Sequence, residues 1–304
     1  MATTFDSTNA VTKSALDTSK FVPEIWEDEI VATYKAALVL ANLVKRLPVV
    51  GKKGDTVHLP GFTRAAASAK AAASAVTLIT HSGTGVDVSL NQHWEYSRLI
   101  EDIAKVQSIN AMRGVYTEDA GYALAKVVDD ALFTRMSYWQ GGAGTAAYDK
   151  AVIASDGTTL YTGANEAAVT DAGIRRVIQT LDDANVPMVN RSFVIPPVAR
   201  NTMLGIARFT EDAFRGDGDT LKTGKFGQIY GMPVYVTSNC PVATGAARIG
   251  AIFHKDAIVL CEQMRPRTQT QYKQEFLADL LTADMVFGEA ELRDNAGVAI
   301  AFLA

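Results

Sequence analysis

The sequence predicts an α+β protein with long excursions from its core, and three observations predict it. Residues 99–140 carry the strongest helical period in the chain, residues 54–98 read as a long two-stranded excursion with little to bury, and the final stretch from Ile249 alternates like strands. At 304 residues, 48% hydrophobic and 20% charged, the chain can bury one large core or two modest ones. A net charge of -4 gives no electrostatic case for wrapping nucleic acid. Two cysteines, Cys240 and Cys261, make no disulfide framework and suit a reducing compartment. The N-terminus lacks a charged start followed by an apolar core, and no apolar run approaches the roughly 18 residues of a membrane span. The expectation is a soluble product made in the cytosol.

The first twenty residues, rich in Ser, Thr and Asp, predict an arm that orders only against a partner. A helix is predicted from Pro23 to Leu47, with Trp26, Ile30, Ala37, Ala41 and Val44 as its stripe and Pro48 as its stop. The Gly-Asp turn and the Val57/Leu59 alternation predict a strand from Thr56. Then comes a near-exact tandem repeat, AAASAK followed by AAASAV at 65–76, which alanine propensity biases toward helix although it has no large side chain to anchor. Val86, Val88 and Leu90 predict the returning strand. An isolated hairpin of this kind is marginal in water and should lie on a neighbour.

In the long helix, Ala120, Leu124, Val127, Val128, Ala131, Leu132 and Trp139 share one face. Glu118, Asp119, Lys126, Asp129 and Asp130 read as solvated, Gly141-Gly142 supplies the stop, and Gly114 either breaks or bends the element. Residues 143–165 read as a polar linker. A helix follows over Thr170–Ala184 on the face of Ile174, Val177, Ile178 and Leu181, then a strand at Ser192–Ile195 and a helix from Pro197 to residue 207. Strands are predicted at 232–237, Ile249–Phe253, Ala257–Cys261, Asp284–Leu292 and Val298–Phe302, with Asp294-Asn295-Ala296-Gly297 as a hairpin turn between the last two. The basic cluster Arg265–Arg267 reads as a solvated loop.

Catalytic sets lose to simpler readings. The stretch GKFGQIYGMPVYVTSN at 224–239 suggests a phosphate loop, but five residues separate Gly218 from Gly224 and Phe226 follows Lys225, so the P-loop spacing fails. It also leads into a strand, where a dinucleotide loop opens a helix, so its glycines serve tight turns and close packing. His58, His81, His93 and His254 have no metal-ligand spacing. No Gly-x-Ser-x-Gly elbow occurs, and Asp217 and Asp219 lack the Gly and Glu offsets of a calcium loop. Arg215-Gly216-Asp217 spells an adhesion tripeptide that chance explains. No catalytic residue, metal or cofactor is expected.

The phrases FVPEIWEDEIVATYKAALVLANLV, GDTVHLP, GYALAKVVDDALF, NVPMVNRSFVIPP and GQIYGMPVYVTSNCP stand in an order that resembles the major capsid proteins of tailed bacteriophages, especially short-tailed phages. The resemblance covers nearly the whole chain and implies the Hong Kong 97-type fold, shared with encapsulins. In its terms residues 1–48 are the N-terminal arm and helix, 49–98 the extended loop, and 99–164 the peripheral domain with its spine helix. Residues 165–247 are the axial domain and 248–304 closing strands that return to the peripheral domain. The implied function is self-assembly through pentamers and hexamers into an icosahedral shell around double-stranded DNA, held without sequence-specific binding. Implied partners are further copies of the chain, a separate scaffolding protein, a portal and, as a candidate, a cement protein outside, with no membrane. The implied location is the virion, after assembly in the host cytoplasm. Inter-subunit contacts are expected at Lys70, His81, Trp94, Arg98, Glu101 and Asp102, and Lys70 and Asn295 are only nominal partners for a covalent cross-link. The alternatives are an encapsulin-like compartment and, from another class, a small-oligomer α+β enzyme with a deep polar pocket.

Overall fold

The computed structural model describes residues 38–62, 65–76, 78, 83–107, 112–144, 148–206, 209 and 227–303. Among them two sheets share one core. The larger has six strands: β5 (Val152–Ile153), β6 (Arg191–Ile195), β7 (Gln228–Ile229), β8 (Met232–Val236), β9 (Arg248–His254) and β12 (Gly297–Phe302), in the order β5-β12-β9-β6-β8-β7. Strands β6 and β12 are buried at every position because both faces of the sheet are covered. One face, through Phe193, Ile195, Ile252, Ile300 and Phe302, meets Ile174, Val177 and Leu181 of helix α4 (Asp171–Asp183) and Ala199 and Met203 of α5 (Pro197–Leu204). Thr170 caps α4, its hydroxyl accepting from the Gly173 N–H at 3.1 Å. The opposite face, through Val194, Ala251, Phe253, Ala299 and Ala301, shares a core with the long helix α3 (Met112–Arg135).

The second sheet runs β1-β10-β11-β4, with β1 at Lys45–Pro48, β4 at Gln92–Glu101, β10 at Ile258–Lys273 and β11 at Ala278–Glu291. β10 and β11 form a long antiparallel hairpin, and Pro266 lies where its register slips, between Met264 and Arg267. α3 lays Leu124, Val128 and Leu132 into the core with Ala283, Met285 and Phe287 of β11. Trp139, just past α3 in a 3-10 stretch (Met136–Gly141), meets the Phe253 ring at 5.6 Å between centroids and presses on Gly297, where an added Cβ would lie 2.6 Å from its ring.

The remaining strands, β2 (Thr56–Phe62) and β3 (Gly83–Ser89), pair only with each other. Val57 and Leu59 pack with Val88, Leu90 and Val259 at the root of this loop. Its outer part is exposed.

Several expectations need correction. The described end of the first helix is α1 (Leu40–Leu43), and Lys45–Pro48 is a strand parallel to β10; pairing with a buried strand overrides helix propensity there. The part of that helix before residue 38 lies outside the described residues. Residues 99–101 are the end of β4, and the helix α2 (Asp102–Gln107) precedes α3. The 65–76 repeat forms no helix and only one turn, at Ala72-Ala73, because alanine propensity without a packing partner does not sustain a helix. Residues 143–165 are no linker: they contain β5 and bury Tyr148, Ala151 and Tyr161. Arg267 is a strand residue, bound through two nitrogens to Asp284 at 2.8 and 3.0 Å, and not part of a solvated loop. Asp294–Ala296 is a 3-10 turn and joins no hairpin, since β11 and β12 lie in different sheets. The closing strands divide likewise: β10 and β11 join the sheet of β4, while β9 and β12 join the sheet of β6 and β8.

Gly250, inside β9, faces the Val194 carbonyl so closely that a Cβ would lie 2.4 Å from it and 2.8 Å from the Phe302 ring. Gly250→Ala is expected to lower stability by about 1–3 kcal/mol, read as an earlier midpoint in urea unfolding of the subunit. An unchanged midpoint would show that the sheet relaxes freely at its centre.

Candidate assembly surface

The most informative polar group is one that looks solvated in the sequence. Asp129 on α3 is completely buried. Its Oδ1 accepts the Leu40 backbone N–H at 2.9 Å and its Oδ2 accepts Asn239 Nδ2 at 3.0 Å; Asn239 also donates to Asp130 Oδ1 at 2.8 Å. One carboxylate therefore fastens the entering chain, the spine helix and the loop after β8. Burial pushes its pKa up, and the bonds from Asn239 and Leu40 oppose that shift. The adjacent Asp130 faces Lys126 at 2.7 Å on the outside, so the Asp-Asp pair straddles the boundary of the core.

Four of the six expected contact residues fall in one place. Trp94, Arg98 and Glu101 lie on β4 and Asp102 opens α2. Trp94 is half-exposed, opposite Met285, and its Nε1 donates to Gln92 Oε1 at 3.0 Å. Arg98 is engaged within the chain: its Nε donates to the Tyr96 hydroxyl at 2.8 Å and its guanidinium lies 5.1 Å from the Tyr116 ring centroid. The Tyr96 hydroxyl in turn donates to Asp119 Oδ2 at 2.8 Å, which ties β4 to α3. Asp102 accepts from the Tyr272 hydroxyl at 2.7 Å, and its backbone N–H donates to the Leu277 carbonyl at 3.1 Å. Glu101 is exposed opposite Ala278. Lys70 is exposed in the 65–76 repeat, away from these four in sequence and element, and His81 lies outside the described residues.

Sequence reasoning missed the apolar surface. At the tip of the β10–β11 hairpin Phe276 and Leu277 are exposed, and so are Ile103 and Val106 on the adjoining α2. Val76 and Leu78 stand out on the extended loop, Leu78 at 89% exposure. Met188 and Val189 project beside Tyr230 over a groove of about 600 Å³. Large side chains left in water on separate projections mark contact surfaces. Among the described residues no group of His, Cys, Asp and Glu is placed to hold a metal ion.

A buried acidic cluster lies where α3 meets β11. Glu289 accepts from Arg135 at 3.1 Å, and burial raises its pKa against that pull. Glu291 is pushed up to about 7 by burial and then by Asp294. On the hairpin, Arg267 holds Asp284 below the usual carboxylate range.

The sequence profile of the phage capsid protein family matches residues 36–304. No curated protein matches the sequence. Among solved structures, a chain of Mycobacterium phage Che8 is 25% identical with a TM-score of 0.75, covering 92% of this chain and 97% of that one. The capsid of cyanophage P-SCSP1u gives a TM-score of 0.77 at 15% identity, covering 99% of both chains. The capsid of Ralstonia phage GP4 gives 0.68 at 14% identity, covering 93% and 95%. The chain belongs to the phage capsid protein family, and its fold is the Hong Kong 97 type.

Replacing Asp129 with Ala would strand the Leu40 N–H and the Asn239 amide in the core. Asp129→Ala is expected to lose about 2–4 kcal/mol by denaturant titration, while Asp130→Ala changes stability by less than about 1 kcal/mol.

The pH dependence has a definite sign. Glu291 keeps its proton to about 7 when folded and releases it near 4.5 otherwise, so its contribution to stability is full below 4.5 and lost as pH rises through 7. Asp284 acts oppositely, its contribution fading as pH falls through the acid range. Glu291→Gln is expected to narrow the difference in melting temperature between about pH 5 and about pH 8. A difference equal to that of the unmodified protein would remove Glu291 from this account.

Proposed function

We infer that this protein is the major capsid subunit of a tailed phage and builds the icosahedral head shell through pentamers and hexamers. The observation that carries the reading is the family match over residues 36–304, which spans both sheets and the spine helix. A ring of identical subunits needs two different patches on each, one meeting the other around the axis. The chain offers such patches: an exposed two-stranded loop, a hairpin tip and a groove, each with large apolar side chains in water. Lys70, His81, Trp94 and Glu101 are proposed as inter-subunit contacts. Arg98 and Asp102, engaged within the chain, would hold the loop base and the hairpin tip in position for the neighbour.

In this reading residues 1–48 act as an arm, 49–98 as the extended loop, 99–164 as the peripheral domain, 165–247 as the axial domain and 248–304 as closing strands. The protein works as a structural component of the virion and not as an enzyme. A scaffolding protein and a portal would take part in assembly in the host cytoplasm, with a cement protein as a further partner. The acidic balance of the chain fits a shell that holds DNA without gripping it.

Sedimentation velocity and negative-stain microscopy of the purified protein test the reading. Closed shells, tubes or sheets built of five- and six-membered rings are expected. A homogeneous dimer or tetramer that stays small, even when co-expressed with its scaffolding protein, would overturn it. Val76→Asp with Leu78→Asp is expected to leave the melting temperature of the subunit unchanged, since both side chains are exposed, and to suppress shell formation.

A further inference from the structure

Arg135, at the C-terminal end of α3, faces more acid than it can neutralise. Glu289 and Glu291 stand two residues apart on β11, so both side chains share the face that α3 covers. The Arg135 guanidinium is taken by one of them. Its Nε and a terminal nitrogen both donate to Glu289 Oε1, at 3.3 and 3.1 Å, and its central carbon lies 5.2 Å from the Tyr138 ring centroid. Glu289 is only 7% exposed and its Oε2 has no partner; Glu291 Oε1 is also buried without one. Asp294 brings a third carboxylate within hydrogen-bond reach of Glu291. Three carboxylates around one guanidinium leave two negative charges uncompensated, and a single bound proton removes one of them.

The other neighbours leave this count standing. Opposite Glu291 on β10 is Ile258, and Arg293 turns to solvent. The preceding crossing between the sheets carries His254, Lys255 and Asp256, with Asp256 engaged by Lys45 at 3.6 Å and by His254 at 3.8 Å. Burial and then Asp294 push the Glu291 carboxyl up to about 7, against the pull of Arg135. A protonated Glu291 donates to Asp294, whereas an ionised one repels it.

Asp294 is also what fastens the end of α3 to this turn. Its Oδ1 accepts the Gly141 N–H at 2.8 Å, and Gln140 Nε2 donates to the Gly297 carbonyl at 3.2 Å on the other side of the turn.

We propose that Glu291 and Asp294 form a proton-controlled latch where the chain leaves β11 for the other sheet. With the proton in place, the pair holds the Asp294–Ala296 turn against Gly141 and so ties it to the end of α3. Without it the two carboxylates repel, Asp294 swings from Gly141 toward solvent, and the end of α3 is released. The Leu292 and Arg293 N–H bonds to the Ala257 carbonyl use neither side chain and stay intact. The latch is a property of the subunit and does not depend on the shell reading.

Native-state hydrogen exchange of the purified protein tests it, read at the Gly141 amide and across residues 292–297 and corrected for the intrinsic rate at each pH. Protection is expected to fall about tenfold between about pH 6 and about pH 8, because Glu291 keeps its proton to about 7 when latched and only to 4.5 when free. Glu291→Gln keeps a donor toward Asp294 without a charge and is expected to hold protection at its pH 6 level throughout. Asp294→Asn, whose amide donates to Glu291 while its oxygen still accepts from Gly141, is expected to do the same. Equal protection of the unmodified protein at both pH values would overturn the proposal, as would an undiminished fall in either folded variant. Urea below the unfolding transition separates the latch from the fold as a whole. Exchange at Gly141 is expected to stay constant there; exchange that climbs with urea in step with the β6 amides would make the opening global and overturn the latch.

Discussion

Two short 3-10 turns lying against each other hold the architecture together. The chain leaves the six-stranded sheet for the other sheet at Lys255–Ala257 and returns at Asp294–Ala296. The Leu292 and Arg293 N–H groups both donate to the Ala257 carbonyl, so the two crossings are bonded to one another. Beyond α3, Gln140 Nε2 donates to the Gly297 carbonyl, the Gly141 N–H donates to Asp294 Oδ1, and Trp139 leaves room only for a glycine at 297. Two sheets that cross twice within a few residues, under one helix, share a core and resist rotating about each other. Asp129 fixes the C-terminal half of that helix by the same logic, with one buried carboxylate holding three segments.

A stiff centre shifts adaptation to the periphery. The β2–β3 loop is anchored at its root by Val57, Leu59, Val88 and Leu90 and is otherwise exposed. The β10–β11 hairpin is long, slips register at Pro266, and ends in the exposed Phe276 and Leu277. These projections are poorly suited to a solitary monomer and well suited to a subunit that buries them on neighbours. The same chain can then meet slightly different neighbours without repacking its core.

Much of this was legible in the sequence, and the residues that were not share a cause. Ile249–Phe253, Val298–Phe302 and the α4 stripe of Ile174, Val177 and Leu181 carry strong local periods, because one face or both must be apolar wherever the element sits in the core. The far half of β10, RPRTQTQYK, has no apolar alternation; it is a strand because β11 runs beside it, which only pairing reveals. β1 reads as a helix end for the same reason. Asp129 looks like its neighbour Asp130 in the sequence, and only the approach of Leu40 and Asn239 distinguishes them. The loop-base residues Trp94, Arg98, Glu101 and Asp102 were singled out by position in the chain, whereas nothing local in the sequence marks Phe276 and Leu277 as a hairpin tip. Their exposure follows from where the hairpin ends.

A cryo-electron-microscopy reconstruction of the assembled shell tests this account most directly, by comparing subunits at five-fold and six-fold positions. The account predicts that both sheets, α3 and the paired crossings superimpose between the two positions, while the β2–β3 loop and the hairpin tip move. A rotation of one sheet against the other between pentamer and hexamer would contradict it.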